Sequence, residues 1–288
     1  MKRKWLVLML AVMTAILLAA CGTGDKKDTT SSSNEGSKTN TDEGGGQFRI
    51  GMEAGYAPFN WTQQGDANGA VKIADNAEYA GGYDVQMAKK IAEGLGKELV
   101  IVKLEWDGLV PALQSNKIDA IIAGMSPTEE RKQTIDFTEN YYTSDFVMVI
   151  KKGSKYEKAT SIQDFSGAKI TSQLNTSNYT VIDQIKDVKK QTAMDNFPAM
   201  RVALEAGKID GYVAERPEGI SAEAANDKFT YVKFEKGFDT DISNTSIAVG
   251  LRKGDADLEK INEILKGISE DERQKIMEEA IHQQPAAQ

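Results

Sequence analysis

One cysteine and one histidine are all that the 288 residues contain of those two types. A single thiol makes an intrachain disulfide impossible. His282 sits in a polar stretch near the C-terminus, so Ser-His or Cys-His nucleophilic catalysis has no base to draw on. A His/Cys metal cluster is excluded in the same way, and no cofactor is expected. The chain also has no Gly-rich GK[ST] loop, the phosphate cradle of P-loop ATP hydrolysis. Positive charge is in deficit, with 35 Lys and Arg against 43 Asp and Glu and a net charge of −8. Phosphate contacts supply most nucleic-acid affinity, so a chain this acidic is a poor partner for DNA or RNA. Beyond the first twenty residues, no apolar run is long enough to cross a bilayer.

What is present begins with an address. Lys2, Arg3 and Lys4 form a positive segment, Trp5 to Leu18 an apolar one, and "LAAC" (18–21) a small-residue cleavage site. Residues 1–20 are therefore expected to be a signal peptide. Because the site ends in the sole cysteine, it resembles the lipobox of bacterial lipoproteins, which implies that Cys21 becomes an acylated N-terminus. Acyl chains contribute roughly 0.8 kcal/mol per buried methylene and hold a protein on a membrane without a spanning helix. Residues 21–46 contain no large apolar side chain and read as a flexible tether. The expected location is the extracytoplasmic face of the cell membrane, and a long lipidated tether suits a Gram-positive surface.

The folded part is expected from about residue 48 to 282. "FRIGM" (48–52) alternates like a short strand, and "ELVIVKL" (98–104) reads as a buried one. Between them "DVQMAKKIAEGLG" (84–96) places Val85, Ala88, Ile91, Ala92 and Leu95 on one helical face, with glycine after the last turn. A short helix over 109–116 and a strand over 117–124 follow. Later, 257–268 is amphipathic through Leu258, Ile261, Ile264, Leu265 and Ile268, and 272–281 is a last helix. Strands alternating with helices argue for an α/β fold with a largely parallel sheet.

An internal repeat divides this part in two. "ALQSNKIDAIIA" (112–123) and "ALEAGKIDGYVA" (203–214) align without a gap and share six identities. Each reads as helix, turn, then a strand opening on Ile-Asp, once per half, which predicts two similar lobes. Ligands of open α/β sheets bind beyond the carboxyl ends of strands. That rule selects Gly124 to Ser126 in the first half and Glu215 in the second, aimed at one cleft.

The stretches "GYAPF", "GGYDVQMAKKIA", "WDGLVPALQSNKIDAIIAGMSPTEERKQTIDFTENYY" and "ALEAGKIDGYVAE", in this order, resemble the extracellular solute-binding proteins of polar amino acid ABC transporters. The resemblance runs from Phe48 to about Ile281 and implies a two-lobed type II periplasmic-binding-protein fold. Lobe one would comprise 48–148 plus 246–281 and lobe two 149–245, joined by hinge strands near 146–152 and 242–250.

It also implies roles for particular residues. Arg131 matches the arginine that grips a ligand α-carboxylate, which suits the planar fork of a guanidinium. Gly124 and Ser126 match positions offering a carbonyl to the ammonium and an N–H and hydroxyl to the carboxylate. Asn175, Thr176 and Ser177 match a loop that meets the carboxylate with helix N-terminal amides, which are unpaired within a helix; Thr176 or Ser177 acting as an N-cap is the plainer alternative. Glu215 matches the acid that takes the α-ammonium, where the family more often has Asp. Tyr56 and Trp106 match aromatic positions that sandwich the ligand side chain, and Glu53 an acid that pairs with a cationic side-chain end. Together these favour arginine or lysine as ligand, with glutamine or another polar amino acid the alternative. The insertion 63–81 carries Glu78 and Tyr79, either at the cleft or on its rim.

The implied mechanism is docking on lobe one, closure of lobe two about the hinges, and delivery to a permease driven by a separate ATPase. The chain is expected to act as a monomer and not as an enzyme. A dehydratase-like enzyme or a ligand sensor on the same fold remains the rival class, because fold does not fix function.

Overall fold

The computed structural model describes residues 45–285; the expected signal peptide, Cys21 and the tether up to residue 44 lie outside the described residues. From Gln47 onward the chain builds two five-stranded sheets. The first is ordered Glu98–Lys103, Gln47–Met52, Ala120–Ile121, Ser246–Leu251, Asp136–Thr143, and the second Lys189–Lys190, Lys169–Thr171, Gly211–Glu215, Phe146–Lys151, Phe229–Val232. In each, three strands run parallel and the remaining strand pairings are antiparallel. The sheets are thus mixed rather than largely parallel.

The pairings also correct one expected boundary. Met148 and Val147 pair with Val213 and Ala214, so the whole of Phe146–Lys151 belongs to the second sheet. The division expected after residue 148 would split this strand between the lobes. On the return path the chain leaves Phe229–Val232, makes a short turn at Ile242–Asn244, and enters Ser246–Leu251 of the first sheet. The two links touch where the Ser144 N–H donates to the Thr245 carbonyl at 3.0 Å.

The repeat is a repeat in three dimensions. Helix Leu109–Gln114 leads to strand Ala120–Ile121, and helix Phe197–Glu205 to strand Gly211–Glu215. The Lys117 N–H donates to the Ala112 carbonyl at 2.9 Å, and that of Lys208 to Ala203 at 3.0 Å. Asp119 then accepts the Arg49 N–H at 2.9 Å, and Asp210 the Lys169 N–H at 2.8 Å. Each aspartate therefore fastens its strand to the parallel neighbour, and the two units are built by the same contacts.

Helix Tyr83–Leu95 forms where the apolar period predicted it. Its inner face buries Val85, Ala88, Ile91, Ala92 and Leu95, and Gly96 ends it in the left-handed conformation at φ 67°. Helix Leu258–Lys266 packs beside it through Ile261 and Leu265. Part of the insertion folds with its flanks into a small sheet of Gly55–Tyr56, Asn60–Gln63, Tyr79–Gly81 and Val71–Lys72. Strand alternation sorts the second sheet between two cores: Tyr212 and Ala214 face the core shared with the first sheet, and Val213 faces a separate one with Phe165 and Ile170.

Candidate functional site

The equivalent ends of the repeat, Gly124 and Glu215, face one cavity between the two sheets. Tyr56, Trp106, Ser126, Arg131, Thr176 and Ser177 line it with them. Of the residues expected at the site, Glu53 and Asn175 lie outside this lining.

Arg131 stands in a single helical turn, Glu129–Lys132, whose cap Thr128 accepts the Arg131 N–H at 3.3 Å. Glu129 and Lys132 pair with each other on the surface at 2.8 Å, while Arg131 turns inward. Its guanidinium donates to the Ser126 carbonyl at 2.9 Å and the Asn175 carbonyl at 2.8 Å, and lies 5.1 Å from the centre of the Trp106 ring. Among the described residues no carboxylate pairs with it. Desolvation pulls its pKa down to about 10, against the pull of Glu130 and Glu215, so it stays charged at neutral pH.

Glu215 ends its strand fully inside the protein. Burial pushes its pKa above the ordinary carboxylate range, opposed by hydrogen bonds from the Tyr56 hydroxyl and the Asn178 side chain and by the Arg131 charge. The Tyr56 ring is held by Phe197, stacked at 4.2 Å and 8°, and by Phe59 at 4.9 Å. It also explains Gly124. That residue sits at φ +61°, and a Cβ there would lie 2.7 Å from the Tyr56 ring.

The loop expected to meet the carboxylate, Asn175, Thr176 and Ser177, opens a short helix. The helix it opens, Ser177–Thr180, is one turn long and passes into the short turn Val181–Gln184, so there is little aligned dipole to offer. Thr176 is the N-cap: it accepts the Tyr179 N–H at 3.3 Å and donates to the Gln173 carbonyl at 2.7 Å. Asn175, at φ 54°, turns its carbonyl to Arg131 and its side-chain amide to Asp107 at 2.9 Å. Ser126 and Ser177, from opposite lobes, both donate to the Asn244 carbonyl, at 3.2 and 3.1 Å.

Glu53 lines a wider neighbouring space together with Trp61, Glu78, Glu105 and Arg201, and Phe197 borders both spaces. One Glu53 oxygen accepts from the Gln173 amide at 3.0 Å, and the other has no partner among the described residues. Burial raises the carboxyl to a pKa of about 7. Gln173, Asn178 and Phe197 are lining residues that sequence reasoning missed. The strand-end rule applied to Lys169–Thr171 points at Gln173, and Asn178 adjoins the recognised loop. Phe197 carries no local signal, because only the tertiary fold brings it under Tyr56.

Residues 48–283 match the model of the bacterial extracellular solute-binding proteins, family 3. A probable histidine-binding protein of Campylobacter jejuni is 32% identical over 229 residues, covering 76% of this chain and 80% of the relative. An arginine-binding extracellular protein of Bacillus subtilis is 29% identical over 272 residues, 92% of either chain. Among solved structures, an amino acid ABC transporter substrate-binding protein from Streptococcus pneumoniae bound to L-arginine superimposes with a TM-score of 0.72 at 26% identity, covering 82% of this chain and 94% of that one. The architecture is that of type II periplasmic binding proteins. With the family model spanning both sheets and the cavity between them, the chain belongs to the bacterial extracellular solute-binding proteins of family 3.

Proposed function

We propose that this protein captures a free basic amino acid, arginine or lysine, in the cavity between its lobes and hands it to the permease of an ABC importer. The observation that carries the reading is a pair of unmatched charges. Arg131 from lobe one and Glu215 from lobe two line one cavity without pairing to each other. Opposite charges held apart across a gap of about 10 Å³, which must widen to admit a ligand, are the complement of a zwitterion, whose hydration must be replaced by preset partners. Arg131 takes the α-carboxylate with Ser126, and Glu215 takes the α-ammonium with Gly124. Tyr56 and Phe197 flank the side chain, which runs toward Glu53 past Gln173. The partnerless Glu53 oxygen suits a cationic end, and relatives named for arginine support that choice.

Lobe two closes on ligand seated on lobe one by movement at residues 144–145 and 242–245. The permease reads the closed pair of lobes, a separate ATPase drives import, and acyl chains on Cys21 keep the monomer at the membrane. The role needs no chemical step on this chain.

Calorimetry with arginine, lysine, histidine, glutamine, glutamate and cystine tests the reading on protein stripped of ligand by unfolding and refolding. Arginine or lysine is expected to bind tightest; a micromolar Kd corresponds to about −8 kcal/mol. Glutamine or glutamate binding tenfold tighter than both sinks the basic-ligand assignment, and no binding by any member sinks amino acid capture.

A further inference from the structure

Asn175 does not line the cavity, yet it holds two groups beside it. It lies just past strand Lys169–Thr171 of the second sheet. Its carbonyl accepts from the Arg131 guanidinium at 2.8 Å, and its side-chain amide donates to an Asp107 carboxylate oxygen at 2.9 Å. Both partners lie beyond strands of the first sheet. Arg131 follows Ala120–Ile121, and Asp107 follows Glu98–Lys103 in the short turn Trp106–Gly108. Trp106, next to Asp107 in that turn, carries the ring on which Arg131 stacks. One residue from the second sheet therefore grips both sides of the Arg131–Trp106 stack.

The choice of asparagine has a physical reason. At φ 54° the backbone is left-handed, a conformation that asparagine tolerates better than most residues. Its main-chain carbonyl meets a cation and its side-chain N–H an anion, while the residue itself is neutral. Arg131 thus gains orientation without a counter-ion. Carbonyls take two of its five N–H groups and leave three for a ligand carboxylate. Asn175 and Asp107 are both exposed, so their contact adds little to either core. Such a contact counts where its two partners part and meet again.

Resting on the proposed capture between two lobes, we infer that Asn175 is a positioning residue that clamps the closed lobes over the carboxylate end of the ligand: its carbonyl steadies Arg131 and its side chain fastens the turn of Trp106. Asn175 touches no ligand. The clamp forms after docking, so it slows release and leaves capture unchanged. It acts at the end common to all amino acids, so every ligand feels it by the same factor.

The test follows L-arginine, L-lysine and L-glutamine by stopped-flow tryptophan fluorescence on the full-length protein, on Asn175→Gly, on Asp107→Ala and on the double variant. Asn175→Gly keeps the left-handed turn and its carbonyl and removes only the side-chain amide. Each single variant is expected to raise the release rate of every ligand that binds by about threefold to tenfold, the scale of one hydrogen bond, with association rates unchanged. The double variant should release no faster than the singles, because both remove the same contact. Release at the wild-type rate in Asn175→Gly overturns the inference. So does a double variant whose factor is the product of the single ones, which marks two unrelated effects. An altered order of preference among the ligands overturns it too, because the clamp acts on the end they share. Should one single variant fail to fold, the other decides by the same rates. If the wild type binds none of the three ligands, the amino acid reading fails instead, and small-angle X-ray scattering decides the clamp. A larger radius of gyration in Asn175→Gly than in the wild type supports it, and an equal one overturns it.

Discussion

Arg131 lies under Trp106, its guanidinium carbon 5.1 Å from the ring centre, with two backbone carbonyls and no acid as hydrogen-bond partners. The guanidinium is thus oriented without being neutralised. Replacing it by alanine should weaken every amino acid ligand alike, by roughly 2–5 kcal/mol. Arg131→Lys should recover little of that, because an ammonium cannot present the same planar fork to a carboxylate and two carbonyls. Calorimetry on both variants checks the point: undiminished affinity in Arg131→Ala would remove the residue from the site, and in Arg131→Lys only the need for a planar fork.

The same stack changes what is expected of Trp106. As a wall of the side-chain pocket it would set preference among ligands. Packed on Arg131, it steadies the group that binds the end all ligands share. Trp106→Ala should therefore lower affinity across the amino acid panel by about 0.5–2 kcal/mol, the range of a cation–π contact. A reshuffled preference with the tightest affinity intact would contradict this.

Much of this arrangement is legible in the sequence, and the reason differs from residue to residue. Gly124 and Glu215 are predictable as a pair, because the repeat sets them at equivalent strand ends and strand ends are where such folds bind. The inward turn of Arg131 among Glu129, Glu130 and Lys132 rests on the family resemblance; charge pattern alone does not distinguish it from its neighbours. Which sheet Phe146–Lys151 joins is not legible, since a run of apolar residues does not announce its partner strands. Phe197 under Tyr56 and the Gln173 contact of Glu53 are products of tertiary packing, with no trace at the level of spacing.

Gly124 is the position least tolerant of a side chain. At φ +61° an L-residue is strained by roughly 1–3 kcal/mol, and its Cβ would press on the Tyr56 ring, the same ring whose hydroxyl donates to Glu215. Gly124→Ala is expected to lower the melting temperature and to weaken amino acid binding together, because relieving the contact moves Tyr56 away from Phe197. Preserved affinity in a variant that melts early would show that the Tyr56 position is not coupled to ligand binding.

Behind the site, Glu218 is fully buried, ion-paired with Arg201 at 2.9 Å, and accepts the Tyr212 hydroxyl at 2.9 Å. Burial raises its pKa to about 7 in spite of the arginine. Arg201→Met should cost about 3–5 kcal/mol in chemical denaturation at neutral pH, because it leaves a buried carboxylate without its cation. Adding Glu218→Leu should recover most of that loss. A single variant as stable as the wild type would mean that the pair is already screened by water entering from the adjoining space.

Glu53 offers a test in which stability and binding pull in opposite directions. Its carboxyl rises from an ordinary value of 4.5 to about 7 because it is buried, so the folded protein holds this proton more tightly than the unfolded chain. The stability it contributes is complete below about 4.5 and is lost as the pH rises through about 7. Glu53→Gln removes that loss. The variant should match the wild type near pH 4.5 and exceed it near pH 8, by up to about 3 kcal/mol on the scale of 1.36 kcal/mol per unit. Ligand binding should move the other way. With its negative charge gone, the variant should lose affinity for arginine and lysine at pH 8 while glutamine is little affected. Melting curves and calorimetry at the two pH values read both effects. A variant that gains no stability at pH 8 rejects the buried, charge-strained carboxylate, and one that keeps its arginine affinity there rejects Glu53 as the partner of a cationic side chain.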